Sequence, residues 1–319
     1  MRPNRSVMIA LGGNALSPKG SAGDITVQFA HTRKSLEAIM HFVDFDYNIC
    51  ITHGNGPQVG DELLRMDLTH EQVPPLPLGL CVAGTQGTIG YMIQQSLQNR
   101  LKEAHVDREV VTLVSQVIVD KDDPSIQNPT KFIGQRYPEN EAKSLAKKFG
   151  WTVKEQNPGE WRRVVSSPLP QFIMHGFSTK TLVDHGTIVL CAGGGGIPVH
   201  YKDSNTLEGL DAVIDKDLAA ALMGRIIKAH ELWIITDVEC AYLDFNKASQ
   251  RPIKKCTASQ AKQYLDEGQF QKGSMAPKFE AAIYFLKYHG EKVIITSISH
   301  VKEAIGGRSG TTIVRDNAT

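Results

Sequence analysis

Apolar residues in this chain gather into short unbroken runs, and the stretches between those runs carry helical spacing. Val7-Met8-Ile9-Ala10-Leu11 is closed by Gly12-Gly13, which reads as a fully buried strand with a glycine exit. The design recurs where Tyr47-Asn48-Ile49-Cys50-Ile51-Thr52 meets His53-Gly54-Asn55-Gly56-Pro57. It recurs again where Thr187-Ile188-Val189-Leu190-Cys191-Ala192 meets Gly193-Gly194-Gly195-Gly196-Ile197-Pro198. In these two exits the proline marks a place where the chain turns or starts a helix.

After the polar loop over 17–24, spacing predicts a helix over 26–45 with Phe29, Leu36, Ile39, Met40 and Val43 on one side. Pro57 suits the first turn of a helix carrying Val59, Leu63 and Leu64. A proline-rich loop over 73–79 precedes a helix over 85–104. Its stripe Ile89, Ile93, Leu97 and Leu101 serves either core packing or a dimer face. One Val-rich strand is expected over 109–120.

Residues 121–163 differ in character. They hold Pro124, Pro129, Pro138 and Pro158, many charges, a helical piece around 139–149, and a hairpin signal at Asn157-Pro158-Gly159. No linker bounds them, so they read as a small subdomain standing on one main domain that spans 1–319. Beyond them the alternation resumes. Strands are expected at 187–192, 232–236, 293–296 and 311–314, and helices over 215–229, 274–289 and 300–305. Strands of continuous apolar residues alternating with helices argue for an α/β fold whose central, mostly parallel sheet is covered on both faces.

Composition narrows the partners. A formal charge of +1 over 319 residues offers no general field for nucleic acid or an anionic membrane, so any ligand charge must be met locally. The cysteines, Cys50, Cys81, Cys191, Cys240 and Cys256, form no C-x-x-C pair, and Cys50 and Cys191 lie inside apolar strand patterns, which suits a reducing cytosol. The basic start 1–6 has no apolar h-region behind it, and no run reaches the ~18 apolar residues of a membrane span. A cytoplasmic protein is expected.

Candidate chemistry sits at the glycine exits and at two lysines. Strand ends in an open parallel sheet face one crevice, where Gly12, Gly13, the amide of Asn14, and Gly54-Asn55-Gly56 can offer donors to an oxyanion. Asp215-Lys216-Asp217 begins a predicted helix. There it is either an anion site or an acidic N-cap beside a solvated lysine. Lys278 follows Ser274-Met275-Ala276-Pro277 at another helix start, with Ser274 a candidate cap, and is either functional or a surface lysine. The chain has no G-x-x-x-x-G-K-[ST], H-E-x-x-H or G-x-S-x-G, and His53 has no partner at metal-ligand spacing. His53 reads as a core or loop hydrogen-bonder.

Taken together, Ala10-Leu11-Gly12-Gly13-Asn14-Ala15-Leu16, His53-Gly54-Asn55-Gly56-Pro57-Gln58-Val59-Gly60, Thr85-Gln86-Gly87, Asn128-Pro129-Thr130-Lys131, Val213-Ile214-Asp215-Lys216-Asp217, Thr236-Asp237-Val238 and Gly273-Ser274-Met275-Ala276-Pro277-Lys278 resemble the signature blocks of carbamate kinases, in the amino acid kinase superfamily. The resemblance implies a three-layer αβα sandwich, a homodimer, and a lid formed by 121–163. It implies reversible Mg²⁺-dependent phosphoryl transfer between carbamoyl phosphate and ADP, giving ATP and carbamate. Lys131 and Lys216 would neutralise the transferring group and Asp217 would orient the lysines. Carbamoyl phosphate or carbamate would lie at Gly12, Gly13, Asn14, Gly54, Asn55 and Gly56. Lys278, with Gly193, Gly194, Gly195, Asp237, Tyr242 and Met275, would meet ADP or ATP. No residue is assigned to a metal. Phe132 stands where the family pattern has proline. Another amino acid kinase, acting on a carboxylate such as acetylglutamate, and a non-catalytic nucleotide sensor are the alternatives.

Overall fold

The computed structural model describes residues 5–13, 24–271 and 273–316; Asn14 and most of the polar loop after it lie outside the described residues. The first strand, Ser6–Leu11, shows why the protein is layered. Met8 and Ala10 join a core with Ala220, Met223 and Phe285, whereas Val7, Ile9 and Leu11 join a core with Leu36, Ile39, Ile89 and Ile93. Successive side chains on a strand point to opposite faces, so an all-apolar strand needs cover on both. Helices Ile25–Asp44 and Leu78–Glu103 cover one face, and Lys216–Ile226 and Ala276–Leu286 cover the other.

The sheet between them runs Lys255–Thr257, Thr311–Val314, Lys292–Ser297, Glu231–Thr236, Ser6–Leu11, Asn48–His53, Ile188–Leu190, Val110–Thr112. Neighbours pair in parallel except Lys292–Ser297 with Thr311–Val314. This is the expected mostly parallel α/β sandwich. Its polarity brings the carboxyl ends of Ser6–Leu11, Asn48–His53, Ile188–Leu190 and Glu231–Thr236 to one edge, where such a sheet leaves a crevice.

Three local expectations change. The strand expected over 109–120 is two strands, Val110–Thr112 in the main sheet and Gln116–Val119 in a second sheet with Pro170–Ile173, Ile197–Tyr201 and Leu207–Gly209. The break falls at Ser115, where the buried Gln86 amide accepts from Ser115 N at 2.8 Å and donates to its carbonyl at 3.2 Å. The helix expected from 85 starts at Leu78, with the Asp211 carboxylate accepting from Leu78 N. Pro198 neither turns the chain nor opens a helix; it lies in strand Ile197–Tyr201 beside Val117.

Residues 131–165 form their own antiparallel sheet, Lys131–Tyr137, Glu160–Val165 and Val153–Asn157, with helix Glu139–Phe149 against it. Gly159, at a φ of 77°, makes the hairpin turn expected at Asn157-Pro158-Gly159. This sheet rests on helix Gly56–Thr69, and the backbones meet at Gly60 and Gly134, so closely that a Cβ on Gly60 would fall 1.9 Å from Gly134 Cα. Asp67 ties the same helix to the sheet by accepting from Trp151 Nε1 at 2.7 Å and from Arg163 at 3.1 Å.

Candidate active site

At the crevice, helix Lys216–Ile226 begins on Asp215, whose Oδ1 accepts from the N–H groups of Asp217 and Leu218 at 2.9 and 3.4 Å. That accounts for the aspartate as an N-cap. Lys216 is not the solvated lysine of that reading, since its side chain is largely buried and paired with Asp217. Asp217 Oδ1 takes Lys216 Nζ at 2.6 Å and its Oδ2 takes Lys278 Nζ at 2.9 Å, while Asp215 Oδ2 takes Lys131 Nζ at 2.5 Å. Three lysines from three distant segments thus converge on two carboxylates two residues apart. Lys278 is not a surface lysine. Its helix is Ala276–Leu286, capped by Met275 with no side-chain bond, and Ser274 contributes its carbonyl, which accepts from Lys278 at 3.2 Å.

Burial disfavours every charge here, and the pairing decides the outcome. Burial works against the Asp217 carboxylate, yet Lys216 and Lys278 outweigh it and hold its pKa below the usual carboxylate range. Burial likewise opposes Asp215, and Lys131 brings it down. For Lys278, Asp217 and Asp215 overcome burial and raise the pKa. Lys216 is pulled below the ordinary lysine value, because burial and the neighbouring Lys278 cation outweigh Asp217. The cluster holds more positive than negative charge, with Lys216 its least comfortable cation.

The glycine exits gather around this cluster for packing reasons that sequence alone did not reveal. Gly12 N donates to Ile235 O at 2.8 Å and Gly54 N to Leu11 O at 2.9 Å, so these two N–H groups serve the sheet and are not offered to a ligand. A Cβ on Gly54 would fall 2.9 Å from Gly13 N and 3.5 Å from Lys216 Cδ, which puts both exits beside the lysine. Gly193–Gly195 is a single 3₁₀ turn in which Gly194 and Gly195 take φ of 66° and 98°. Side chains there would strike neighbours: Gly193 would meet His53 at 2.3 Å, Gly194 Asn55 at 2.2 Å, and Gly195 the Ile214 carbonyl at 2.3 Å. Asn55 in turn donates to Thr85 at 2.9 Å. Gly56 has open space around its Cβ position.

Asp237 follows strand Glu231–Thr236 and is near enough to raise the pKa of Lys278. Tyr242 lies on a hairpin of Ala241–Leu243 with Arg251–Ile253. Strand Lys131–Tyr137 pairs Phe132 with Val164, and Lys131 reaches Asp215 from it without a following proline. Thr85, Gln86 and Asp215 are neighbours of these residues that had no assigned role, although each lies in a block that carries the family resemblance.

His53 is buried beneath Gly193, and burial brings its pKa down to about 4. It is therefore neutral in the fold, while an unfolded histidine titrates near ~6.5. Because the folded state resists protonation, stability declines as pH falls from about 6.5 towards 4. The expected result is a melting temperature that drops by several degrees (~5 °C) over this window, with a shallower slope in His53→Gln. A slope unchanged by the substitution would remove His53 from this role.

Among the described residues, no helix is long and apolar enough to cross a membrane, and no group of three or more His, Cys, Asp or Glu is placed to hold a metal ion.

Comparison with known proteins gives the family. The model of the amino acid kinase family matches residues 5–297. The carbamate kinase of Thermococcus kodakarensis is 44% identical over 315 residues, covering 98% of this chain and 100% of that protein. The carbamate kinase of Pyrococcus furiosus is 42% identical over 312 residues, covering 97% and 99%. Carbamate kinase from Giardia lamblia, solved bound to citric acid, superimposes with a TM-score of 0.93 at 37% identity, covering 99% of this chain and 100% of that one. The same enzyme bound to AMP-PNP superimposes with a TM-score of 0.89. With three lysines drawn to one helix start in a sheet of this order, the chain belongs to the amino acid kinase family, among its carbamate kinases, and is a phosphotransferase.

Proposed function

We propose that the protein transfers a phosphoryl group reversibly between carbamoyl phosphate and ADP, with Mg²⁺, in line and without a phosphoenzyme. The observation that carries this reading is the convergence of Lys131, Lys216 and Lys278 on Asp215 and Asp217. Phosphoryl transfer spreads negative charge over equatorial oxygens and asks a protein mainly for position and countercharge. A terminal oxygen of ADP forms a bond to phosphorus as the bond from phosphorus to the carbamoyl oxygen breaks, and the electron pair leaves on carbamate, which decays to ammonia and carbon dioxide. In reverse the attacking carbamate oxygen is already anionic, so no general base is needed.

Lys131 and Lys216 neutralise the moving group in this scheme, and Asp217 orients Lys216 and Lys278. Lys278 meets the nucleotide phosphates. Gly12, Gly13, Asn14, Gly54, Asn55 and Gly56 border the small substrate, and Gly193, Gly194, Gly195, Asp237, Tyr242 and Met275 border the nucleotide. The residues fit Mg²⁺ as an ion that would arrive with the nucleotide and not on the protein's carboxylates, because Asp215 and Asp217 are already engaged by lysines. Mg²⁺ would supply countercharge to the nucleotide phosphates there.

Residues 121–163 serve as a lid over the small substrate, a role supported by Lys131 lying on them. A second copy of the chain completes a homodimer, supported by Leu80 and Tyr91 exposed on one helix with Gly84 and Gly87 open between them, and by the strand Val110–Thr112 at the sheet edge. A cytoplasmic setting, supported by five free buried thiols, belongs to the same reading.

The test is ATP formation by purified protein from ADP, Mg²⁺ and carbamoyl phosphate. Steady ATP production is the expected result. Folded protein that binds ADP but forms no ATP would overturn the assignment of this substrate.

A further inference from the structure

We infer that Asp215 is the positioning residue for Lys131, holding it from the three-stranded sheet over the start of helix Lys216–Ile226 before any phosphate arrives. The inference deepens the phosphotransfer reading and rests on it for the role of Lys131.

The two carboxylates of the cluster divide the lysines unequally. Both oxygens of Asp217 are committed, one to Lys216 and one to Lys278. Lys131 alone is held by Asp215, and by its second oxygen, because the first caps the helix. A single buried side chain therefore joins the helix that carries Lys216 to the strand that carries Lys131. Their Cα atoms are 84 residues apart in the chain, so no local preference brings them together.

The backbone around the contact is arranged to make it count. Val213 N donates to Ser166 O at 3.0 Å, and Ser166 Oγ reaches the Ile126 carbonyl at 3.4 Å. Asp123 accepts from Leu169 N at 3.0 Å. The chain entering and the chain leaving the small sheet are thus pinned to each other and to the segment leading into Asp215. Helix Gly56–Thr69 supports the sheet from its other side through Asp67. Between these anchors the start of strand Lys131–Tyr137 pairs with Val165 and is tied to helix Lys216–Ile226 by the Lys131 side chain on Asp215.

An ammonium has three donors, so Lys131 can keep Asp215 and still donate to a phosphoryl oxygen. Asp215 then acts through Lys131, by setting its position, and touches neither substrate. The competing view makes Asp215 a helix cap and nothing more. Asp215→Asn separates the two, since asparagine caps a helix about as well as aspartate but presents no charge to the lysine.

Without ligands, amide hydrogen exchange in Asp215→Asn is expected to rise about tenfold or more over residues 131–137, with residues 216–226 unchanged. With substrates, kcat/KM for carbamoyl phosphate is expected to fall about tenfold or more. ADP affinity stays within about twofold, and adding Asp215→Asn to Lys131→Ala costs less than about twofold more, as for residues acting as one unit. An equal rise of exchange in 216–226, or a full further loss in the Lys131→Ala background, would overturn the inference. The exchange arm uses protein without substrate. A wild type that forms no ATP but shows the selective exchange change in Asp215→Asn would count against the phosphotransfer reading and for the tie between Asp215 and Lys131.

Discussion

Lys216→Ala lowers kcat for ATP formation by about 10²-fold or more, a barrier increase of ~2.7 kcal/mol, while the protein stays folded and still binds ADP. Lys216 is the first residue of its helix, its Nζ 2.6 Å from Asp217 and its stem beside the Gly13 and Gly54 exits. It is the cation that the site stabilises least, since burial and Lys278 pull its pKa below the ordinary lysine value. A phosphoryl group whose negative charge is spread over its equatorial oxygens in the transition state meets here a buried positive charge with only half a carboxylate opposite it. Such a preorganised cation stabilises developing charge more than ground-state charge, which is the requirement for raising kcat. Folding survives because the substitution also removes a like charge beside Lys278, which keeps its own bond to Asp217. ATP formation within about threefold of the wild type would exclude Lys216 from the transfer step.

Much of this could be read along the chain, and the parts that could not have a common physical cause. The alternation of strands and helices was legible because a buried parallel strand must be apolar on both faces; strand Thr311–Val314 has the expected bounds. The break at Ser115 was hidden, because Val110–Val119 is largely apolar and what divides it is the Gln86 amide, donated by a distant helix. The start of helix Leu78–Glu103 was hidden because Gly79, Gly84 and Gly87 weaken the helical signal locally. Gly90 in the same helix is needed for close approach, as a Cβ there would meet Thr112 at 2.3 Å.

The site divides along the same line. Asp215-Lys216-Asp217 announces a helix start, because capping is local. That Lys278 joins it 61 residues later, and that Lys131 joins it from 84 residues earlier, depends on how the segments pack. The glycine exits pack close to one another, Gly54 beside Gly13 and Lys216, and Gly193 and Gly194 against His53 and Asn55. Their purpose differs in part from an oxyanion cradle: Gly193 and Gly194 are small so that His53 and Asn55 fit beneath them, and Gly12 and Gly54 donate to the sheet.

Asp217→Asn is expected to lose about 3–5 kcal/mol of stability at neutral pH, together with most activity, because it leaves two buried ammonium groups without their shared countercharge. The variant keeps the size of the side chain, so the loss reports charge and not a cavity. Removing one of the stranded cations should therefore help folding without helping chemistry: Asp217→Asn combined with Lys278→Met recovers part of the stability and none of the turnover. The pH dependence adds an independent check. The folded-state pKa of Asp217 is depressed, chiefly because Lys216 and Lys278 outweigh its burial. Its contribution is thus fully present above the unfolded value of ~3.9 and is lost as pH falls through the lower folded value. The stability gap between wild type and Asp217→Asn should accordingly narrow below about pH 4, where the carboxyl of the unfolded wild-type chain takes up a proton while the folded one stays ionised. Denaturant unfolding of both proteins between neutral pH and about pH 3 measures that gap directly. A gap that stays constant across the range would mean that Asp217 supports the fold by shape and hydrogen bonding, and that the lysines do not depend on its charge.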